Sequence, residues 1–367
     1  MSRFLYYPGC SMEGTARAYQ ASVDVVCDVL GMRLEELDDW NCCGATEYAG
    51  ISLFRSHALI GRNLALAEAQ SVASGSVAPA AGAATGIAER AGPGAAREAS
   101  DHAINTVVAP CSACYLNLAK TDAYLRESSA LARRVNEALG AAGLHYTPGA
   151  VRVRHLLDVL VDDVGLDAIA GRVTRPLSGL RVAPYLGCML PRPDLDDRWP
   201  VREHPLVFDR LLAALGAEVI DFPLMTDCCG GHMTQISPAT GFELIRRLVH
   251  EATARHADIM ATVCPMCQMN VDAYQGEMNR YFRTHYSMPI LFFTQLMGLA
   301  FGATASAVSI GSELVAAAPA LTRIGFEVPQ AEVDAAAVEA AEVARRAKSR
   351  RSKALPMPRM PAKEIRQ

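Results

Sequence analysis

Apolar residues along the chain fall into two alternating rhythms. Short, nearly continuous apolar runs, as in "RFLYYPGC" at the start, "INTVVAPC" before Cys111 and "DIMATVC" before Cys264, read as strands buried on both faces. Between them lie stretches with helical spacing that end in Leu-Gly, "VVCDVLGM" and "LLAALGAE", each leading into a further short strand-like run. Each half therefore reads strand, helix, strand, helix, strand. This order predicts an α/β protein of two pseudo-symmetric Rossmann-like lobes, each a small parallel sheet with helices. The first lobe is expected over residues 1–150 and the second over 151–300, with a C-terminal helical extension and basic tail over 301–367.

Two segments break the rhythm. Residues 71–100, "SVASGSVAPAAGAATGIAERAGPGAAREAS", are rich in Ala, Gly and Ser without apolar period, and read as a mobile surface insertion in the first lobe. From about Val328 an alanine-rich helix leads into a proline-bearing tail crowded with Lys and Arg, although the whole chain carries a net charge of −4. Without aromatic residues or a nucleic-acid-binding fold, the tail reads as a solvated arm or a docking segment for an acidic partner. Nucleic acid is not an expected partner.

Composition narrows the class. At 51% hydrophobic and 20% charged residues, the 367-residue chain is of ordinary globular make-up. The start "MSRFLYYPGC" lacks the apolar core of a signal peptide, and "PILFFTQLMGLAFGA" from Pro289, interrupted by Thr294 and Gln295, reads as a core helix rather than a membrane span. A cytoplasmic protein is expected. In that compartment eleven cysteines point to metal or catalysis rather than disulfides.

Their positions repeat. With Cys27 set aside, the order is Cys10, the pair Cys42 and Cys43, and the CxxC of Cys111 and Cys114; then Cys188, the pair Cys228 and Cys229, and the CxxC of Cys264 and Cys267. The surrounding words repeat as well: "YYPGC" and "PYLGC", "WNCCGA" and "TDCCGG", "CSACYLN" and "CPMCQMN". Such self-similarity implies duplication and two facing lobes, with the cysteines just beyond strand ends. Glycines 9, 44, 187, 230 and 231 let backbone N–H groups come close to a bound group. Soft thiolates select zinc, copper(I) or iron–sulfur clusters. Five cysteines per half exceed the four of a zinc tetrahedron or a cubane cluster, so an opened four-iron assembly fits better.

With both CxxC sets and the full repeat, the stretch "YYPGCSMEGTARAYQASVDVVCDVLGMRLEELDDWNCCGA" resembles the catalytic B subunit of heterodisulfide reductase, of the cysteine-rich CCG-domain family. The resemblance covers roughly residues 3–300 apart from the insertion. It implies two noncubane [4Fe–4S] clusters, one on Cys10, Cys42, Cys43, Cys111 and Cys114 and one on Cys188, Cys228, Cys229, Cys264 and Cys267. It also implies that a disulfide is cleaved or formed between them, or a thiol-bound sulfur oxidised, with one electron per cluster. The chain has no CxxCxxCxxxCP run of its own, so the resemblance implies a separate ferredoxin-like C subunit, supplied in turn by a flavin-containing A subunit. Bacterial members of sulfur-oxidising complexes, working with lipoate-linked carrier proteins, are similar in composition. Two other readings stay open: an electron-relay iron–sulfur subunit of a hydroxy-acid or succinate oxidoreductase, and a zinc-stabilised interaction scaffold.

Cys27 shares a helix face with Val23 and Leu30 and reads as a buried structural thiol. His232, directly after "CCGG", could donate to a cluster sulfur or substrate, or be a plain loop histidine. Trp40 and Asn41 are candidates to shield and hydrogen-bond the first cluster. Arg192 and Arg198 could meet an anionic substrate group near Cys188, or be solvated loop charges. Neither a nucleophile elbow nor a GxGxxG after a strand is present, so hydrolysis and nucleotide binding have no support.

Overall fold

The computed structural model describes residues 2–45, 48–73, 105–192 and 205–328. These belong to one compact unit ending at Val328. The first half runs β1 (Ser2–Tyr6), α1 (Cys10–Glu13), α2 (Arg17–Leu30), β2 (Met32–Glu36), α3 (Tyr48–Ile51), α4 (Leu53–Ala73), β3 (Thr106–Ala109), α5 (Ser112–Glu127), α6 (Ser129–Gly140) and β4 (Arg152–His155). A connector follows, with α7 (Leu156–Val159), a π-helical turn over Leu160–Gly165, and α8 (Leu166–Ala170). The second half runs β5 (Arg181–Tyr185), α9 (Val207–Ala214), β6 (Glu218–Val219), α10 (Met233–Ile236), α11 (Pro238–Ala254), β7 (Ile259–Thr262), α12 (Pro265–Ala273), α13 (Gln275–Phe282), β8 (Ile290–Phe292), α14 (Phe293–Ala300) and α15 (Ala318–Arg323).

Each half is a four-stranded, wholly parallel sheet. The orders, β2-β1-β3-β4 and β6-β5-β7-β8, are the same doubly wound arrangement twice, giving two Rossmann-like lobes. The inner strands are apolar because helices cover both sheet faces: Val107, Val108 and Ala109 in one lobe and Ile259, Met260 and Ala261 in the other are buried. In α2 the buried Tyr19, Val23, Val26 and Cys27 recur at helical spacing, and Gly31 ends the helix in the left-handed region at φ 65°.

Four boundaries differ from the sequence expectation. β4 pairs with β3, so the first sheet extends past residue 150. The segment from Pro289 is not all helix, because Ile290–Phe292 pairs with β7 as an edge strand before α14 begins. Both fourth strands are only three or four residues long, too short to show a period of their own. Residues 71–73 belong to α4, and the rest of the expected insertion lies outside the described residues. Residues 301–328 belong to the body, burying Val308, Ile310, Leu321 and Phe326, while the alanine-rich helix and basic tail lie outside the described residues.

The halves exchange packing partners. α14, which follows the last strand of the second lobe, lies along α2 of the first, where Ser22 Oγ and Thr294 Oγ1 meet at 2.6 Å. Reciprocally, α8, which follows the last strand of the first lobe, packs on α9 of the second. This exchange turns the cysteine-bearing strand ends toward one another.

Candidate metal centre

All ten repeated cysteines lie where strands end. Cys10 begins α1 after β1, Cys188 follows β5, and the two pairs sit in the loops after β2 and β6. Cys111 and Cys264 occupy the residues just before α5 and α12, in extended conformation. Within the first half Cys10 Sγ lies 3.8 Å from Cys42 Sγ, and Cys43 Sγ 3.4 Å from Cys114 Sγ. Within the second, Cys188 neighbours Cys228, and Cys267 neighbours Cys229 and Cys264, each thiol shifting the others. The two sets adjoin across the lobe boundary, where Cys111 and Cys264 are near enough to shift each other's thiols. Cys27 stands apart, buried in α2, with burial pushing its thiol up to about 12.

The same supports recur in both halves. Tyr7 Oη donates to the carbonyl of Asn41, just before the first pair, at 2.7 Å; Tyr185 Oη donates to that of Asp227, just before the second, at 2.9 Å. Burial and then the neighbouring thiols push both phenols well above their usual range, so both remain donors. Asn117 Nδ2 holds the carbonyls of Cys43 and Ala45 at 3.2 and 2.7 Å, and Asn270 Nδ2 holds that of Cys229 at 2.6 Å. Gly9 and Gly187 both have positive φ, and a Cβ there would stand 2.8 Å from Cys114 Sγ and 2.7 Å from Cys267 Sγ. Only glycine leaves room for that sulfur.

The cysteine pairs open tight turns that aim backbone N–H groups at sulfur. Gly44 N donates to Cys42 Sγ at 3.4 Å, Gly230 N to Cys228 Sγ at 3.3 Å, and Gly231 N to Cys229 Sγ at 3.3 Å. The first half completes the same turn with Ala45, whose N–H serves Cys43 and whose φ of 43° is left-handed. Hydrogen bonds with Cys114 and Cys42 hold the Cys43 thiol down to about 3. A hydrogen bond with Cys188, helped by Gly230 N–H and the Arg192 charge, brings Cys228 to about 6 against the opposing effect of burial. Cys264 is lowered by Cys111 and then Cys267. Conversely, Cys42 and Cys188 are raised by hydrogen bonding to Cys43 and Cys228 and by burial. Each half thus keeps thiolate character, the form that binds metal.

The remaining sequence candidates divide. Trp40 packs edge-on against Tyr7 at 5.5 Å between ring centroids and donates Nε1–H to Glu36, so it braces the first loop. Asn41 does not reach sulfur: its amide donates to the Cys42 and Leu59 carbonyls, because the side chain is turned back onto its own loop. Arg192 is exposed, with its charge felt at Cys228. His232 is half-buried in the turn leading into α10. Arg198 lies outside the described residues.

Tyr7, Tyr185, Asn117 and Asn270 were missed as functional residues, although the repeated words carry a Tyr three residues before the first cysteine and an Asn three after the last. Ser112 was missed as well. Its hydroxyl is buried beside Cys111 with no hydrogen-bond partner among the described residues.

The donor set fits an iron–sulfur group. Five thiols per half, two glycines that admit sulfur, N–H groups aimed at sulfur and one buried hydroxyl awaiting an acceptor suit a sulfur-rich guest. Cys10 and Cys42 Sγ lie 3.8 Å apart and Cys43 and Cys114 Sγ 3.4 Å apart, and among the described residues no group of three His, Cys, Asp or Glu side chains is arranged to hold a single metal ion. A surface groove of about 670 Å³ lies between α6 and the C-terminal end of α5, away from the cysteines at that helix's N-terminus.

The profile of the cysteine-rich CCG domain matches residues 4–76 and 182–272, one copy in each half. The chain is 27% identical over 312 residues to the 8-methylmenaquinol:fumarate reductase membrane anchor subunit of Wolinella succinogenes, covering 85% of this chain and 96% of that one. It is 30% identical over 198 residues to the B subunit of the ferredoxin/F(420)H(2)-dependent CoB-CoM heterodisulfide reductase of Methanosarcina acetivorans, covering 53% of this chain and 65% of that one. Among solved structures, a hypothetical protein from Helicobacter pylori superposes with a TM-score of 0.63 at 13% identity over 86% of this chain and 52% of that one, a likeness of fold. With the cysteine-rich CCG profile matched once in each half and heterodisulfide reductase B subunits among its relatives, the chain carries two CCG-like segments and is similar to those subunits.

Proposed function

We propose that the chain is the catalytic iron–sulfur subunit of a heterodisulfide reductase-like complex, acting on a disulfide or thiol-bound sulfur between two noncubane [4Fe–4S] clusters. Cys10, Cys42, Cys43, Cys111 and Cys114 would hold one cluster, and Cys188, Cys228, Cys229, Cys264 and Cys267 the other. The observation that carries this reading is the meeting of two complete five-cysteine sets, whose Cys111 and Cys264 loops stand close enough to share one tyrosine hydroxyl on the carbonyls of Pro110 and Val263. Two one-electron centres side by side supply the electron pair that making or breaking an S–S bond requires.

The chain's own residues hold and orient. Tyr7 and Tyr185 fix the pair loops, Asn117 and Asn270 tie those loops to α5 and α12, and Ser112, next to Cys111 in the chain, has a buried hydroxyl free to donate. The guanidinium of Arg192, next to Cys228, suits an anionic end of the substrate, and His232 stands near enough in sequence to the second pair to be the proton donor to a leaving thiolate. Electrons would come through a ferredoxin-like C subunit and a flavin-containing A subunit, and a lipoate carrier protein is a candidate bearer of the sulfur substrate. Among the described residues no helix is long and apolar enough to cross a membrane.

The name of the Wolinella relative favours a second reading, electron relay in a quinol-linked reductase. Iron and acid-labile sulfide analysis of anaerobically purified protein, with EPR before and after thiol addition to the oxidised sample, separates the two. About eight irons, four per cluster, with a thiol-dependent paramagnetic signal, is the expected result. Iron without a thiol response supports relay, and zinc without sulfide ends both.

A further inference from the structure

Tyr19 is the residue on which the two cysteine sets converge. It lies in α2 of the first lobe, fully buried. Its ring stacks flat on Phe292 of the second lobe, with centroids 4.2 Å apart and planes 6° from parallel, and meets Phe293 edge-on at 6.1 Å. Its hydroxyl is within 3.1 Å of the carbonyl of Pro110 and 3.3 Å of that of Val263. Pro110 precedes Cys111 and Val263 precedes Cys264, so one O–H spans the two backbone positions just before the pair of cysteines that adjoin across the lobes. A single proton shared between two carbonyls holds both only while they stay within reach of the same oxygen.

We propose that Tyr19 is a positioning residue that sets the separation of the two metal-binding sets, and with it the coupling between whatever they hold. It acts through the backbone of Cys111 and Cys264 rather than by touching a sulfur. The ring stack on Phe292 fixes where the hydroxyl stands, and the hydroxyl fixes how far apart the two strand-end loops stand. The electronic part of this inference rests on the iron–sulfur reading above; the mechanical part does not.

The test is Tyr19→Phe, which keeps the ring stack and removes only the hydroxyl, with Phe292→Leu as the counterpart that removes the stack and keeps the hydroxyl. Both variants and the parent chain are purified anaerobically, and iron, labile sulfide and melting temperature are measured. In the parent, spin–spin interaction between the two centres is read by EPR of the reduced protein. The expected result for Tyr19→Phe is full iron with a changed interaction splitting. Amide exchange is also expected to rise about fivefold in peptides spanning 107–116 and 260–269 together, as loss of a ~1 kcal/mol hydrogen bond would give. Phe292→Leu is expected to lower the melting temperature while changing the splitting less. An unchanged splitting in fully loaded Tyr19→Phe, or faster exchange in only one of the two peptides, overturns the proposal. If the parent chain holds fewer than two iron–sulfur groups, the iron–sulfur reading fails, and the exchange data still decide whether Tyr19 ties the two loops.

Discussion

The two cysteine-bearing halves use one plan with different fittings, and the differences separate what the site requires from what it tolerates. Shared by both are a glycine against the last sulfur of the CxxC, a tyrosine on the carbonyl before the cysteine pair, an asparagine on the carbonyl of the pair's second cysteine, and a turn aimed at sulfur. The first half alone has Trp40 packed edge-on against its tyrosine, Ala45 in a left-handed turn where the second has Gly231, and Ser112 where the second has Pro265. In the second half a cation, Arg192, has its charge felt at the pair. The shared features all control where sulfur and backbone stand. The unshared ones change polarity and rigidity around them, which is how two similar centres can acquire different potentials.

The sharpest way to break the comparison is to fill one sulfur cradle at a time. Gly9→Ala and Gly187→Ala each put a methyl inside van der Waals distance of a CxxC sulfur at a positive φ. If each half holds a four-iron cluster, as proposed, each variant is expected to empty its own half and leave the other, so that iron per chain falls to about half of the parent's. Loss of all iron from either variant would mean that the two halves load as one unit.

The tyrosines should respond unequally. Asn41's carbonyl also accepts from Asn63 Nδ2 at 2.8 Å, so Tyr7→Phe leaves it a partner and should cost about 1 kcal/mol, against about 2 kcal/mol for Tyr185→Phe. Denaturant unfolding of the two variants measures the difference. Equal losses would show that Trp40 contributes through Tyr7 as much as Asn63 spares.

Exchanging the turn residues gives a smaller effect of opposite sign. Gly231→Ala imposes left-handed strain and should destabilise by about 1 kcal/mol, whereas Ala45→Gly removes such strain and should be neutral or stabilising by less than about 1 kcal/mol. If the proposed first cluster takes the Ser112 hydroxyl as a donor to sulfur, Ser112→Ala should leave iron content unchanged and make the reduction potential of that centre alone more negative, because such a donor stabilises the reduced state. Potentiometric EPR titration of the variant against the parent checks this.

Cys27 gives the mildest test. Leu212 stands four residues before Gly216 as Cys27 stands four before Gly31, and both are buried, so the thiol takes a leucine's place. Burial keeps it protonated up to about 12, above the ordinary thiol value of 9.0. Its contribution to stability is therefore complete below pH 9 and declines as pH rises toward 12. Iodoacetamide at pH 8 should leave Cys27 unmodified in the folded chain, and Cys27→Val should flatten that alkaline decline.

Much of the fold and of the candidate site is legible in the sequence because both depend on local repetition. Apolar runs such as those around Val108 and Met260 can belong only to strands covered on both faces, and the doubled order of Cys10, Cys42, Cys43, Cys111 and Cys114 marks the strand ends that carry ligands. The edge strands β4 and β8 stayed hidden because three or four residues hold no period and become strands only when a neighbour offers its hydrogen bonds. The roles of Tyr7, Tyr185 and Tyr19 stayed hidden because each donates to a backbone carbonyl. A carbonyl is the same in every residue, so sequence cannot identify it as a partner. By itself, then, the sequence determined two like lobes and ten sulfurs at their strand ends. Only the tertiary structure, by laying α14 of one lobe along α2 of the other, decided that Cys111 and Cys264 meet and that one buried hydroxyl lies between their loops, since contacts across 153 residues of chain depend on how whole helices pack.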